Sequence, residues 1–173
     1  MISPGLIRQP DKRRRIRRCK PLMLYLGVIQ VGNNAVAMAK AMKLVLNGLA
    51  GTVAKTAPAN DVIDMVPLMP KWAKGKYVIG DVRMHGGMPW RCCQDHDSTS
   101  NPTWHPGKVP ALWAPYHATD AAHALPWVQP TGAQDAYKVG EYMVWTDGKT
   151  YRCNTNAVVH NPEEISAVWE VIV

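Results

Sequence analysis

The sequence predicts an α+β, multi-module chain: a short α-helical N-terminal region followed by a mainly β C-terminal half made of two small three-stranded antiparallel modules. Three observations carry this expectation. Apolar residues spaced three and four apart run over 35–52, which is helical spacing. From Trp72 onward that spacing gives way to short β-type runs bounded by glycine, such as Lys76-Tyr77-Val78-Ile79 and Tyr142-Met143-Val144-Trp145. Within this second part, one set of landmarks occurs twice at nearly constant offsets.

Residues 1–32 read as a basic arm followed by an apolar segment. The chain of 173 residues carries a formal net charge of +7. That excess lies in Arg8, Lys12, Arg13, Arg14, Arg15, Arg17, Arg18 and Lys20, opposed by Asp11 alone. The rest is neutral, so the charge describes a solvated tail and argues against a nucleic-acid-binding body. Only the arm, 8–20, retains the capacity to touch phosphate or an acidic capsid or membrane surface. Pro21 to Gly32 is too short to span a bilayer but has the length of a signal-peptide core, with Ala35-Val36-Ala37 in the place of a cleavage site, so secretion is an alternative. Gln30 and Gly32 interrupt that run, and the helical pattern continues past the cleavage point. Initiation at Met23 would leave the arm out.

Residues 33–70 read as a helical anchor or oligomerisation region with a linker. Asn33 and Asn34 are the expected N-cap, and Gly48 and Gly51 the expected end. Ala35, Met38, Met42, Val45, Leu49 and Thr52 form an a/d seam. A helix this short needs a partner for that stripe. Either its own chain covers it or copies of the chain do, as a homo-oligomeric stalk for which a trimer is one form. Ala59–Met65, after Pro58 and before Pro67 and Pro70, is expected to be a second brief helix.

The two modules are placed at 71–116 and 126–173. Tyr77-x-x-Gly80-Asp81 corresponds to Tyr137-x-x-Gly140-Glu141, Trp90-x-Cys92 to Tyr151-x-Cys153, and Pro106 with Trp113 to Pro162 with Trp169. Asp147-Gly148 marks one hairpin and Gly86-Gly87 the other. Units of about 45 residues have little interior, so large rings must build it. The chain has seven tryptophans, six tyrosines and no phenylalanine.

Tyr77-x-x-Gly80-Asp81, Trp90-x-Cys92, His96-x-Ser98, Trp104-x-Pro106 and Val109-Pro110-Ala111-Leu112-Trp113 together resemble the type-3 chitin-binding domain, carbohydrate-binding module families 5 and 12. The second unit, Trp127 to Trp169, is similar to a variant of that module in bacteriophage structural proteins, through Gln129-Pro130-Thr131-Gly132-Ala133 and Asp135-Ala136-Tyr137. The resemblance implies sugar binding by rings stacked on pyranose faces, with Trp104 as the platform. Trp113, Trp90, Tyr77 and Trp145 are the further candidates for glycan contact. The family counterparts of Trp72, Tyr77, Trp90 and Trp113 mostly build the core. Trp104 aligns with His160, so the second unit lacks the platform unless Trp145 or Tyr142 substitutes.

No catalytic residues are expected. Glycosidases need two carboxylates flanking the scissile bond, whereas the acidic residues after Trp72 are scattered. His117-x-x-Asp120-x-x-His123 lacks the further ligand a zinc amidase needs. Cys92-Cys93-x-x-His96 is half a zinc site without a second pair, and Cys19, Cys92, Cys93 and Cys153 do not make a disulfide framework. Neither metal nor cofactor is expected. The resulting reading is a non-catalytic bacteriophage virion protein, of a tail fibre or capsid decoration, that contacts host cell-surface polysaccharide and other virion proteins. The alternatives are a decoration or cement protein with purely structural modules, and a secreted accessory of a chitin- or peptidoglycan-degrading system.

Overall fold

The computed structural model describes residues 22–132 and 134–172, with side chains from residue 35 onward. The arm 8–20 and Cys19 lie outside the described residues. The chain divides into two compact units, Met1–Lys40 and Ala41–Val173. The first contributes the opening turns of a helix, α1, Leu22–Val53.

Two expectations for this helix are corrected. It starts at Leu22, ahead of the Asn33-Asn34 cap, and it runs through Gly48 and Gly51. An internal asparagine costs under about 1 kcal/mol and a glycine about 1 kcal/mol, which flanking helix formers and tertiary packing outweigh. The packing is visible at the C-terminal end. Ala50 and Ala54 are buried in a cluster with Val62, Met69 and Val82. Gly51 packs beside Pro70, where an added Cβ would stand 3.4 Å from Cγ, at the edge of ordinary van der Waals contact. The stripe Met38, Met42, Val45 and Leu49 remains exposed on the opposite side. The stretch Ala35–Val53, with mean hydropathy 1.2, is also long and apolar enough to cross a membrane by length and composition. It carries Lys40 and Lys43, and near its end Ala50 and Gly51 are buried.

A second helix, α2, Ala59–Asp64, and a single 3-10 turn at Val66–Leu68 follow. Lys55, just beyond α1, pairs with Asp81 at 2.7 Å and fastens the helical segment to the first β region. Burial raises the Asp81 carboxyl, but the hydrogen bond from Lys55, the Val78 amide and the charge of Arg83 outweigh it and hold its pKa below the ordinary value.

Among the described residues the β region has three sheets. Strands β1 (Lys76–Tyr77) and β4 (His96–Asp97) pair antiparallel. Strands β2 (Val82–His85), β3 (Met88–Cys92) and β5 (Trp113–Pro115) form a three-stranded antiparallel sheet. Strands β6 (Leu125–Pro126), β7 (Tyr142–Val144), β8 (Thr150–Cys153) and β9 (Trp169–Val171) form a four-stranded one. The fourth strand was not foreseen: β6 adds parallel to β7. The first sheet has the same feature in miniature, a parallel bridge from Lys71 to Met84. A two-residue strand has no periodicity to read.

Backbone hydrogen bonds recur at the aligned positions. Gly80 N–H donates to Cys92 C=O and Gly140 N–H to Cys153 C=O, both at 2.8 Å. Cys92 N–H donates to Asp81 C=O, and Cys153 N–H to Glu141 C=O. Trp72 N–H reaches Met84 C=O as Trp127 N–H reaches Val144 C=O. The acidic residue caps its own turn in both places, from Val78 N–H to Asp81 and from Lys138 N–H to Glu141. Gly80 and Gly140 have φ of +84° and +83°, with no atom within 4 Å of an added Cβ. Gly140→Ala is therefore expected to lose about 1–2 kcal/mol through backbone strain alone, read as a lower urea midpoint with an unchanged slope.

Candidate glycan-binding surface

The first core holds Tyr77, Met88, Trp90, Cys92, Leu112 and Trp113. Trp113 is 1 % exposed, Tyr77 6 % and Trp90 6 %. Their rings are occupied by neighbours: Tyr77 meets Trp113 edge-on at 4.9 Å, and Trp90 Nε1–H donates to the His85 carbonyl at 3.0 Å. The bound conformation of a sugar would have to displace that packing to reach them.

Trp104 sits differently. It is half-buried, packed against the core from outside. Its loop is held by turns from Asn101 N–H to Ser98 C=O and from Trp104 N–H to Asn101 C=O. Trp113 Nε1–H donates to the Trp104 carbonyl at 3.1 Å, so a buried ring clamps the backbone of the half-buried one. Pro106, fully buried, fixes the following bend, and Gly107, at φ +80°, lies against the Trp90 ring. His96 stands between Trp104, Tyr77 and Trp113, with centroids at 6.3, 5.3 and 5.3 Å. Ser98, fully buried, ties the loop to Gly75 through both its accepted and its donated hydrogen bond at 3.0 Å. The result is an aromatic ring on a rigid loop with part of its surface in solvent.

A second aromatic group lies nearby in the same half. Trp72, His85 and His105 meet at centroid distances between 4.8 and 5.9 Å. Burial and the neighbouring His105 charge lower the His85 pKa, which keeps that imidazole neutral near pH 7. Sequence reading attached no role to His85 or His105, because their spacing matches no motif.

Residues 71–114 match the family model of carbohydrate-binding module family 5/12. No curated protein matches the chain. The matched module supports carbohydrate binding, with chitin as the suggested polymer, and modules of this family bind without catalysing a reaction. The Trp104 loop lies inside the matched module.

Outside the match, the second aromatic core contains Tyr137, Met143, Tyr151, Cys153, Val158 and Trp169, with Trp127 and Trp145 packed on it. Trp169 Nε1–H donates to the His160 carbonyl at 2.9 Å, the counterpart of the Trp113–Trp104 bond. The residue so presented is an exposed imidazole beside Glu164, not an indole. Trp145 is half-buried, edge-on to Trp127 at 5.7 Å, and donates through Nε1–H to Glu163 at 3.0 Å.

Cys92, Cys93 and Cys153 are free thiols, and burial is the largest influence raising the pKa of each, so they stay protonated near neutral pH. Cys92 Sγ lies 3.6 Å from His96 Nδ1, but that nitrogen also lies 2.8 Å from the Gln94 carbonyl. Among the described residues no group of three His, Cys, Asp or Glu is placed to hold a metal. The His117…His123 stretch is used differently from a metal motif. His117 Nδ1 lies 2.8 Å from Glu141, while His123 bridges Asp120 at 2.7 Å and Asp64 at 3.3 Å.

The His123 bridge joins α2 to the segment before β6 and has a sign that can be tested. The Asp120 hydrogen bond raises the His123 pKa, against a smaller lowering by desolvation. The same hydrogen bond lowers the Asp120 pKa. Stabilisation by a raised histidine is complete below its unfolded value, about 6.5, and disappears as pH rises through the folded value. The carboxylate's share disappears as pH falls below about 3.9. An NMR titration of the histidine ring is expected to place His123 above the ordinary range and to return it there in Asp120→Asn. An unshifted His123 in the unaltered chain would remove the bridge.

Proposed function

We propose that this chain is a non-catalytic bacteriophage virion structural protein whose residues 71–116 and 126–173 are tandem carbohydrate-binding modules, the first binding an N-acetylhexosamine polymer of the host surface. The observation that carries the glycan reading is the family match over 71–114 together with the half-buried Trp104 on its clamped loop. Trp104 is the platform. Trp113, Trp90 and Tyr77 support it from beneath, and Trp145 is the candidate contact of the second module. An indole suits this task because the axial C–H groups of a β-linked sugar present an apolar, slightly positive face to the electron-rich ring. The tandem arrangement is supported by the recurring hydrogen bonds at Gly80 and Gly140 and at Trp113 and Trp169. The virion setting rests on the resemblance of residues 127–169 to modules of phage structural proteins.

Retention of the purified chain on insoluble chitin, peptidoglycan and intact bacterial cells tests the glycan reading, and no retention on any matrix would overturn it. Mass spectrometry of purified particles tests the setting. A particle lacking the chain would leave a secreted accessory protein as the better reading. A second structural reading, cement between virion subunits, is favoured by His160 standing where the second module would need its platform.

Self-association belongs to the same proposal. Met38, Met42, Val45 and Leu49 are exposed at 68, 54, 67 and 59 % along one side of α1, with Val36 and Leu44 also exposed, whereas burial begins only at the C-terminal end, at Ala50, Gly51 and, just beyond the helix, Ala54. Lys40 and Lys43 lie off the a/d positions, so no like charges face one another across the seam. The chain is expected to sediment as a small oligomer. Met42→Glu with Val45→Glu is expected to make it a monomer, and a monomeric unaltered chain at micromolar concentration would dispose of the stalk.

A further inference from the structure

Where the two β regions meet, a cleft of about 250 Å³ is lined by Ala57, Ala59, Arg91, Pro115, Tyr116, His117, Lys138 and Glu141. Its charge is uneven. Glu141 is already engaged, accepting from Lys138 N–H at 2.8 Å and lying 2.8 Å from His117 Nδ1. Arg91 and Lys138, by contrast, have no carboxylate at ion-pair distance among the described residues. Arg91 projects from β3 between the buried Trp90 and Cys92, on the opposite face of the strand. Lys138 comes from the Tyr137–Gly140 turn, at the position that Val78 holds in the first region.

His117 supplies an independent sign. Its side chain is 7 % exposed and its ring is stacked flat on Tyr137 at 3.7 Å. With Nδ1 turned to Glu141, the buried Nε2 has no hydrogen-bond partner. A buried polar atom without a partner costs on the order of 1–3 kcal/mol, and in the doubly protonated ring, whose Nδ1–H donates to the Glu141 carboxylate, the Nε2–H is a donor that an anion would satisfy.

We propose that this cleft is a subsite for one anionic group, a carboxylate or a phosphate, of a charged cell-surface glycan. Arg91 and Lys138, both exposed and both lining the cleft, supply the positive charge, and the Nε2–H of the doubly protonated His117 ring supplies a further donor. The volume suits one small charged group, below the range of drug-sized pockets. The identity of the polymer rests on the glycan reading above; the charge of the bound group does not. The site is separate from Trp104, so a single chain would read a neutral sugar face with one surface and an acidic substituent with another, and the two contacts on one polymer would reinforce each other.

The test is an NMR titration of the full chain with N-acetylmuramic acid as the carboxylate probe, glycerol 3-phosphate as the phosphate probe and N-acetylglucosamine as the neutral control. Saturable shifts at Arg91, His117 and Lys138 with either anion, absent with the neutral sugar, are the expected result, and which anion acts tells carboxylate from phosphate. Arg91→Gln with Lys138→Gln is expected to weaken anion binding at least about tenfold, the scale of one lost charge-assisted hydrogen bond. That variant should keep the unfolding midpoint and chitin retention of the unaltered chain. No saturable shift with either anion, equal shifts with the neutral sugar, or undiminished binding in the double variant would each overturn the subsite. Anion binding by a chain that no neutral polymer retains would leave the subsite standing and remove the Trp104 reading, so the two can fail separately.

Discussion

Trp113→Ala is expected to destabilise the chain by about 3–5 kcal/mol, the range for truncating a fully buried large ring. The ring is 1 % exposed and meets Tyr77 and His96 edge-on at 4.9 and 5.3 Å. Its Nε1–H is the donor that satisfies the Trp104 carbonyl. Truncation therefore opens a cavity, removes two aromatic contacts and releases the loop that presents Trp104. Domains of this size have roughly 5–15 kcal/mol in total, so the loss is a large fraction of the stability and should lower the unfolding midpoint markedly. Trp113→Phe separates the causes: it keeps much of the packing and forfeits the hydrogen bond, for a smaller loss of about 1–2 kcal/mol beyond the volume change. Urea unfolding followed by near-ultraviolet circular dichroism is the measurement. An unchanged midpoint in Trp113→Ala would mean that this ring is not the keystone of the core. Trp169→Ala, its counterpart, should act through the second region by the same mechanism.

Trp104→Ala is expected to abolish retention on chitin while leaving the unfolding midpoint within about 2 kcal/mol of the unaltered chain. The asymmetry with Trp113 follows from placement. A half-buried ring contributes less to the core than a fully buried one, and its loop is tied down independently by Ser98, Pro106 and the Trp113 donor. Stacking of a sugar on an indole, in contrast, has no substitute in this loop. Loss of one aromatic platform is worth on the order of 2 kcal/mol, or about thirtyfold in affinity, enough to empty a pull-down of weak sites. Trp104→Tyr should retain part of the binding, because a flat ring of similar electronic character remains. Equal retention of Trp104→Ala and the unaltered chain would move the binding surface elsewhere. Trp72 with His85 and His105, or Trp145 beside Glu163, would then be the next rings to change.

Much of the β half was legible in the chain because its landmarks are residues with narrow physical uses. Gly80 and Gly140 mark positive φ, Asp147-Gly148 marks a hairpin, and the Trp, Tyr and Cys offsets repeat the pattern of a small aromatic core. The aligned hydrogen bonds fall on these positions. The alignment of Trp104 with His160 holds to the level of the indole donors of Trp113 and Trp169. The ends of α1 were not legible, since capping residues weigh tenths of a kcal/mol to about one, whereas burial of Ala50 and Ala54 is decided by the residues they meet. Strand β6 was missed because two residues carry no alternation.

The sequence alone determined the neutral body, the aromatic landmarks that recur along the β half and Trp104 as a candidate platform, because each depends on residue type and local spacing. Tertiary structure alone decided which rings face solvent and which line the core. It brought Arg91, His117 and Lys138 into one cleft, and among the described residues it left the Met38–Leu49 stripe exposed. Those outcomes depend on contacts between segments far apart in the chain, where spacing carries no information and packing decides which face of each element is left open.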